Sequence, residues 1–223
     1  SLRGTLDVRA LERALDRVLL RHDALRTRIR LVDGRPMQTV APHEPFRLPV
    51  VDHRGEVDPE ASVHARLGEL ARAPFDLGEA RPHRIELERL EDDRHVLAFV
   101  AHHVVVDGYA VDRIQEEVLD TYARLARGET VEPDLPPISY LDYAAHQRRC
   151  LVDEVIRPQL EHFRTKLEGL PPLLELPTDR PRPPRTRTEG DVVIVPLPSS
   201  TRSAVEELAR RHDLTPFMVL LAA

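Results

Sequence analysis

The segment of the sequence most able to do chemistry is FVAHHVVVDGYAV, residues 99–111. Two adjacent histidines, His102 and His103, stand between apolar residues, and Asp107 and Gly108 follow after three valines. An imidazole ordinarily titrates near neutral pH, so it can accept or release a proton during a reaction. The segment therefore predicts an apolar strand that ends in groups able to move protons.

The spacing of these residues limits what they can do together. Successive residues of a strand point to opposite faces, so His102 and His103 are not expected to share a metal ion. Residues 96–101 are apolar, which predicts a strand buried on both faces and imidazoles that need hydrogen-bond partners. Gly108 permits a sharp turn, and Asp107 is placed to cap the following helix or to hold a cation. We therefore expect a site at a strand end, beside the free N–H groups of a helix N-terminus.

The composition predicts a folded protein without a basic surface for nucleic acid. The chain has 223 residues, of which 41% are hydrophobic, and a formal net charge of −6 with both signs mixed along its length. Lys166 is the only lysine, so nearly all positive charge comes from arginine. No apolar run reaches the length of a membrane span, so no membrane partner is expected. The first and last segments look like the interior of a larger protein.

Cysteine usage and the start of the chain predict a cytoplasmic protein. Cys150 is the only cysteine, which excludes an internal disulfide and fits a reducing compartment. No signal peptide opens the chain. The sequence contains no paired-cysteine zinc spacing, no H-E-x-x-H and no glycine-rich phosphate loop, so we expect neither a metal nor a bound nucleotide cofactor.

Hydrophobic periodicity and turn residues predict an α+β fold, since helices and hairpins mix without a regular βαβ alternation. The predicted helices cover residues 6–22, 59–72, 111–125, 139–168 with a break at Pro158, 200–211, and a last segment from Thr215. The predicted strands form a hairpin over residues 25–40 with a turn at Asp33-Gly34, a second pair over residues 83–90 and 95–103, and a single strand over residues 191–197.

Four motifs together resemble one protein family. HHVVVDG matches the His-His-x-x-x-Asp-Gly signature of the condensation domains of nonribosomal peptide synthetases. RHDALRTRI, YLDYAAH and LPTDRPRP resemble three further segments of that family, in the family's order. Tyr109 and Ala110 depart from the frequent Trp-Ser, and His146 departs from the usual Trp, which we interpret as subfamily variation. The resemblance covers essentially the whole chain.

The resemblance implies a chloramphenicol acetyltransferase-like fold, a V of two lobes with a mixed β-sheet flanked by helices and an active-site tunnel between the lobes. Residues 1–176 would form the N-terminal lobe, residues 177–190 a Pro-rich crossover, and residues 191–223 the beginning of a truncated second lobe. Because such a tunnel needs both lobes, we expect the chain alone to be catalytically weak or inactive.

The family joins an upstream acyl or peptidyl thioester to a downstream amine, and both substrates arrive on phosphopantetheine arms of carrier proteins. By position, His103 is the candidate catalytic residue, either as a base or as a group that positions the amine. His102 is expected to be structural. The resemblance also implies that Asp107 pairs with an arginine, for which Arg26 is the matching residue, while the Gly108 N–H is a candidate donor to the developing oxyanion.

The expected partners are therefore donor and acceptor carrier proteins and adjacent modules of a bacterial synthetase for antibiotics or other natural products, with no cofactor bound directly. Two alternatives stay open. Epimerisation domains share the motif but usually add a catalytic acid from the second lobe. Recruitment domains of the same fold bind carriers or tailoring enzymes and typically lose the motif, which is intact here. Heterocyclisation is disfavoured because that subgroup replaces the first motif histidines with aspartates.

Overall fold

The computed structural model describes residues 1–173, 175, 177–181, 183 and 192–223, which fall into two compact units, Ser1–Lys166 and Leu167–Ala223. The described strands are β1 (Leu2–Arg3), β2 (Thr27–Val32), β3 (Arg35–Val40), β4 (Val50–Asp52), β5 (His83–Arg89) and β6 (Arg94–Ala101). The described helices are α1 (Val8–Arg21), α2 (Pro59–Arg72), α3 (Gly108–Ala126), α4 (Tyr140–Cys150), α5 (Asp153–Lys166), α6 (Ser199–Arg211) and α7 (Pro216–Ala222).

A four-stranded mixed sheet lies at the centre of the first unit. Its strand order is β1-β6-β5-β4, and β4 runs parallel to β5 while the other neighbours are antiparallel. β5 and β6 pair from His83 opposite Ala101 to Arg89 opposite His95. Because side chains alternate along a strand, the odd and even positions of β5 face opposite sides of this sheet. The predicted α+β fold is confirmed.

An apolar core covers one face of the sheet. Ile85 and Leu87 of β5 lie in one cluster of buried residues with apolar side chains of α1 and α3. α1 begins after Asp7, whose carboxylate accepts the N–H of Ala10 at 3.0 Å, as the sequence predicts. The predicted apolar stripe of α1 is buried throughout: Leu11, Ala14, Leu15, Val18 and Leu19.

The opposite face of the sheet is joined to α2 and the segment before it by charged side chains. Glu86 of β5 accepts hydrogen bonds from the guanidinium of Arg66 at 3.0 and 2.8 Å. Two residues further on, Glu88 accepts a hydrogen bond from His53 Nε2 at 2.7 Å. This face of β5 therefore depends on ion pairs, in contrast to the apolar face behind it.

The predicted hairpin forms a separate two-stranded sheet of β2 and β3. Val32 pairs with Arg35, which leaves Asp33 and Gly34 as a two-residue loop with φ of 51° and 74°. Positive φ at both central positions is the conformation that twists in the same sense as the flanking strands, and Asp-Gly adopts it readily.

Three details of the predicted secondary structure are wrong. α3 begins at Gly108 rather than near residue 111, because Asp107 caps it. The chain breaks between α4 and α5 at residues 151–152, and Pro158 lies inside α5, where its missing N–H removes a single helical hydrogen bond. The described residues 192–197 form no strand, although residues 191–197 are predicted as one.

In the second unit, Thr215 caps α7 by accepting the N–H of Met218 at 3.2 Å. Residues 182 and 184–190 of the predicted crossover lie outside the described residues, and the division into residues 1–176, 177–190 and 191–223 stays a prediction. None of the helices in the described ranges combines the length and apolarity that a bilayer span requires.

The buried pair of His53 and Glu88 makes the stability of this fold dependent on pH. Both ring nitrogens of His53 face carboxylates, Nε2 at 2.7 Å from Glu88 and Nδ1 at 2.9 Å from Glu56. Only an imidazolium donates from both nitrogens. The pKa of His53 is raised above its ordinary value, chiefly by the hydrogen bond to Glu88. The stabilisation is therefore complete below the pKa of an unfolded-state histidine and is lost as pH rises through the folded-state pKa.

We predict that His53→Gln lowers the free energy of unfolding by about 3 kcal/mol near pH 6, since it leaves a buried carboxylate without its cation. The difference from wild type narrows as the pH rises, because the wild-type imidazole also loses its charge. Urea unfolding at several pH values between about 6 and 9 measures this. His64→Gln, at an exposed position of α2, is the matched control. A His53→Gln deficit that does not vary with pH contradicts the prediction.

Candidate active site

The two motif histidines lie in the turn after β6, since that strand ends at Ala101. The His102 N–H donates to the Pro82 carbonyl at 2.9 Å, and the His102 carbonyl accepts the Val105 N–H at 3.0 Å. The prediction that both imidazoles lie on the strand and face opposite sides of the sheet is therefore wrong. The turn, rather than the strand, sets where each ring points.

The His102 ring stabilises this turn by an internal hydrogen bond. Its Nδ1 accepts the N–H of Val104 at 3.1 Å, and the ring packs at right angles to Phe75 with 5.9 Å between the centroids. The side chain is half-buried. These contacts fit the supporting role that the sequence predicts for His102.

His103 is exposed and lines an open pocket of about 530 Å³ in the first unit. In the described part of the chain, no group hydrogen bonds to its ring, so the imidazole is free to meet a ligand. The pocket walls come from the end of α1 and β2, from the motif turn and the start of α3, and from the segment before α4. The lining segments are residues 21–25, 27, 29, 38, 103–107, 109–110, 113–114, 136 and 138–140.

Asp107, which lines the pocket, is the N-cap of α3, and Gly108 is the first residue of that helix. The Asp107 carboxylate accepts the Ala110 N–H at 2.8 Å, and its carbonyl accepts the Val111 N–H at 3.0 Å. Gly108 is the first helical residue, so its N–H is one of the donors that a helix N-terminus leaves without an intrahelical partner. The motif thus places backbone donors next to an available imidazole.

Arg26 does not pair with Asp107, so that prediction is wrong. Its guanidinium forms an ion pair with Asp23, three residues earlier in the same turn. It also donates to the carbonyls of Leu19 at 3.1 Å and Ala41 at 2.6 Å. Asp23 is therefore the carboxylate partner of Arg26, while the Asp107 carboxylate caps the N-terminus of α3. Arg26 therefore ties the end of α1 to the end of the hairpin.

The sequence analysis does not include His22 among the candidate site residues, but this residue lines the same pocket as His103. His22 does cap the C-terminus of α1, and its Nε2 also lies 2.7 Å from the Glu117 carboxylate of α3. Arg21 Nε is 3.5 Å from the same carboxylate. The two basic residues before Asp23 are the local sequence signal for an ion-pair cluster. Their acidic partner on α3 could be identified only from the packing of α1 on α3.

His83, at the start of β5, is a second histidine that sequence reasoning missed. It is buried, stacks on Phe99 with 6.5 Å between the ring centroids, and lies opposite Ala101 in the sheet. Burial, reinforced by the charge of Arg81, lowers the pKa of His83 to about 4. The ring is therefore neutral at physiological pH and part of the core behind the motif turn.

The described residues contain no group of three or more His, Cys, Asp or Glu side chains arranged to hold a metal ion. Cys150 is exposed on α4, with its Sγ 3.4 Å from His146 Nε2.

The first unit is thus an α+β fold in which a turn with two histidines follows a central strand of the sheet. A family profile described as condensation domain matches residues 1–223, so the chain belongs to the condensation-domain family. A linear gramicidin synthase of Brevibacillus parabrevis is 36% identical over 224 residues, which is all of this chain and 4% of that synthase.

Two solved structures with this fold carry different specialisations. The X-domain from teicoplanin biosynthesis matches with a TM-score of 0.82 and 29% identity, over 96% of this chain and 47% of that one. The epimerization domain from the third module of tyrocidine synthetase B matches with a TM-score of 0.66 and 25% identity, over 80% of this chain and 41% of that one. The chain therefore spans less than half the length of these two structures.

We predict that Asp107→Ala lowers the free energy of unfolding by about 1 kcal/mol, since the N-cap hydrogen bond of α3 is lost. Chemical denaturation of the purified chain measures the loss. Asp112→Ala, at an exposed position of the same helix, is the control and is expected to change stability by less than about 0.5 kcal/mol. Wild-type stability of Asp107→Ala together with lost activity would contradict a structural role.

Proposed function

We propose that this chain takes part in amide bond formation during nonribosomal peptide synthesis. The amine of an aminoacyl group attacks the thioester carbonyl of an acyl or peptidyl donor. The new N–C bond forms, the C–S bond breaks, the thiol leaves with a proton, and the nitrogen loses a proton. The observation that supports this most directly is an exposed imidazole, His103, in a pocket beside the N-terminus of α3.

In this proposal His103 either accepts the proton of the amine or orients the amine for attack. The free N–H of Gly108 at the helix N-terminus is the candidate donor to the carbonyl oxygen as negative charge develops there. Asp107 fixes the start of that helix, and His102 holds the turn. Arg26 acts at greater distance by joining α1 to the hairpin that forms another wall of the pocket.

The substrates in this proposal arrive as thioesters on phosphopantetheine arms, so the chain needs no resident cofactor. Its partners are the donor and acceptor carrier proteins and the adjacent modules of a cytoplasmic synthetase. Membership in the condensation-domain family and the similarity to a gramicidin synthase support this assignment. The mixed surface charge offers no footprint for nucleic acid.

Two other functions share the fold and are outcomes of the same test. Similarity to the tyrocidine epimerization domain supports epimerisation, the exchange of an alpha-proton on a carrier-bound residue, as one alternative. A recruitment domain of the same fold is the other. The complete motif, with His103, Asp107 and Gly108 all present, favours amide formation over a recruitment role.

The decisive measurement is a single-turnover assay with acyl-loaded and aminoacyl-loaded carriers, with the chain tested inside its complete reading frame. We predict amide product, and a rate for His103→Ala lower by about 10²- to 10⁴-fold. His64→Ala, at an exposed histidine of α2, is expected to react at the wild-type rate. Alpha-proton exchange without amide would support epimerisation, and carrier binding without either reaction would support recruitment.

The 223-residue chain alone is expected to be catalytically weak or inactive, since the two solved relatives are about twice as long. The same single-turnover assay on the isolated chain measures this directly. Turnover at the rate of the complete synthetase would show that the 223-residue chain carries the whole active site.

A further inference from the structure

Phe75, just beyond the C-terminus of α2, packs between side chains of two other elements. The guanidinium carbon of Arg84, on β5, lies 3.8 Å from the centroid of its ring. The ring of His102, in the motif turn, lies 5.9 Å from the same centroid at an angle of 89°. A half-buried aromatic ring thus connects α2 and β5 to the motif.

Arg84 is a fixed support for this ring. Its Nη1 donates to the carbonyls of Leu70 at 3.2 Å and Ala73 at 2.9 Å, and its Nη2 donates to the carbonyl of Pro74. These carbonyls belong to the last turn of α2 and the residues after it, where a cation is favoured. Because a planar guanidinium held at several points cannot swing away, it keeps Phe75 against the motif turn.

The orientation of the His102 ring matters to the turn that carries His103. His102 Nδ1 accepts the Val104 N–H at 3.1 Å, so the neutral ring carries its proton on Nε2. If the ring rotated, Nδ1 would leave the Val104 N–H and the turn would lose an internal hydrogen bond. Phe75 is the aromatic neighbour of this ring, and it restricts that rotation.

We propose that Phe75 is a positioning residue: supported by Arg84, it holds the His102 ring on the Val104 N–H and thereby fixes the turn that presents His103. The structural half of this inference stands on the contacts alone. The catalytic half rests on the proposed function, in which His103 meets the amine. Phe75 acts through His102 and does not line the His103 pocket.

The structural half is tested on the 223-residue chain by the imidazole ¹⁵N chemical shifts of His102. Phe75→Leu is expected to move the Nδ1 resonance away from the position of a hydrogen-bond acceptor, and Phe75→Tyr, which keeps the ring, to retain it. Phe99→Leu is the matched control, because Phe99 is also half-buried but stacks on His83 instead of His102. Far-UV circular dichroism confirms that each variant is folded.

The catalytic half is tested in the complete synthetase. Phe75→Leu is expected to lower kcat about tenfold with KM unchanged, because a misplaced reacting group costs rate rather than binding. Phe75→Tyr is expected to restore most of kcat.

An unchanged His102 resonance in Phe75→Leu overturns the proposal whatever the kinetics show. A shifted resonance with wild-type kcat overturns the link from the turn to catalysis, provided that His103→Ala is inactive in the same assay. If His103→Ala also reacts at the wild-type rate, the proposed function has failed, and the ¹⁵N result still decides the structural half.

Discussion

The pairing of β5 with β6 is the interaction on which the rest of the first unit depends. Its register sends Ile85 and Leu87 to one face of the sheet and Glu86 and Glu88 to the other. A slip of one residue would exchange these faces and bury carboxylates in the apolar core. The same register ends β6 opposite His83, so it also determines where the motif turn begins.

The two faces of this sheet are stabilised by different kinds of interaction. The face toward α1 and α3 is stabilised mainly by apolar contacts, which do not depend on the ionisation of side chains. The face toward α2 uses an arginine–glutamate pair and a histidine–glutamate pair, whose contributions depend on ionisation. On the same face of β5, Arg84 contacts Phe75, which in turn contacts His102 of the motif turn.

Local features of the sequence were sufficient to predict much of the fold. An apolar stripe behind Asp7 predicts α1, and Asp33-Gly34 between alternating residues predicts the hairpin, because each depends on residues close in the chain. The start of α3 was predicted three residues late, although Asp107 was already recognisable as a possible cap. The motif also predicted the family, since its spacing is a local property.

Contacts between distant segments could not be predicted in this way. The family resemblance implied Asp107 as the partner of Arg26, but it could not weigh the competing carboxylate of Asp23, one turn away in the same segment. No pattern links Phe75 to His102, because their contact exists only once α2 has packed on the sheet. The roles of individual side chains in the site therefore required coordinates.

The near absence of lysine has a practical consequence for chemical labelling. Lys166, at the end of α5, is the only side-chain amine, and Cys150, at the end of α4, is the only thiol. Both side chains are exposed. Guanidinium groups stay protonated and do not compete for amine-directed reagents. A maleimide can therefore label one defined position of this chain, Cys150, while an activated ester reacts with the Lys166 side chain and with the α-amino group of the chain.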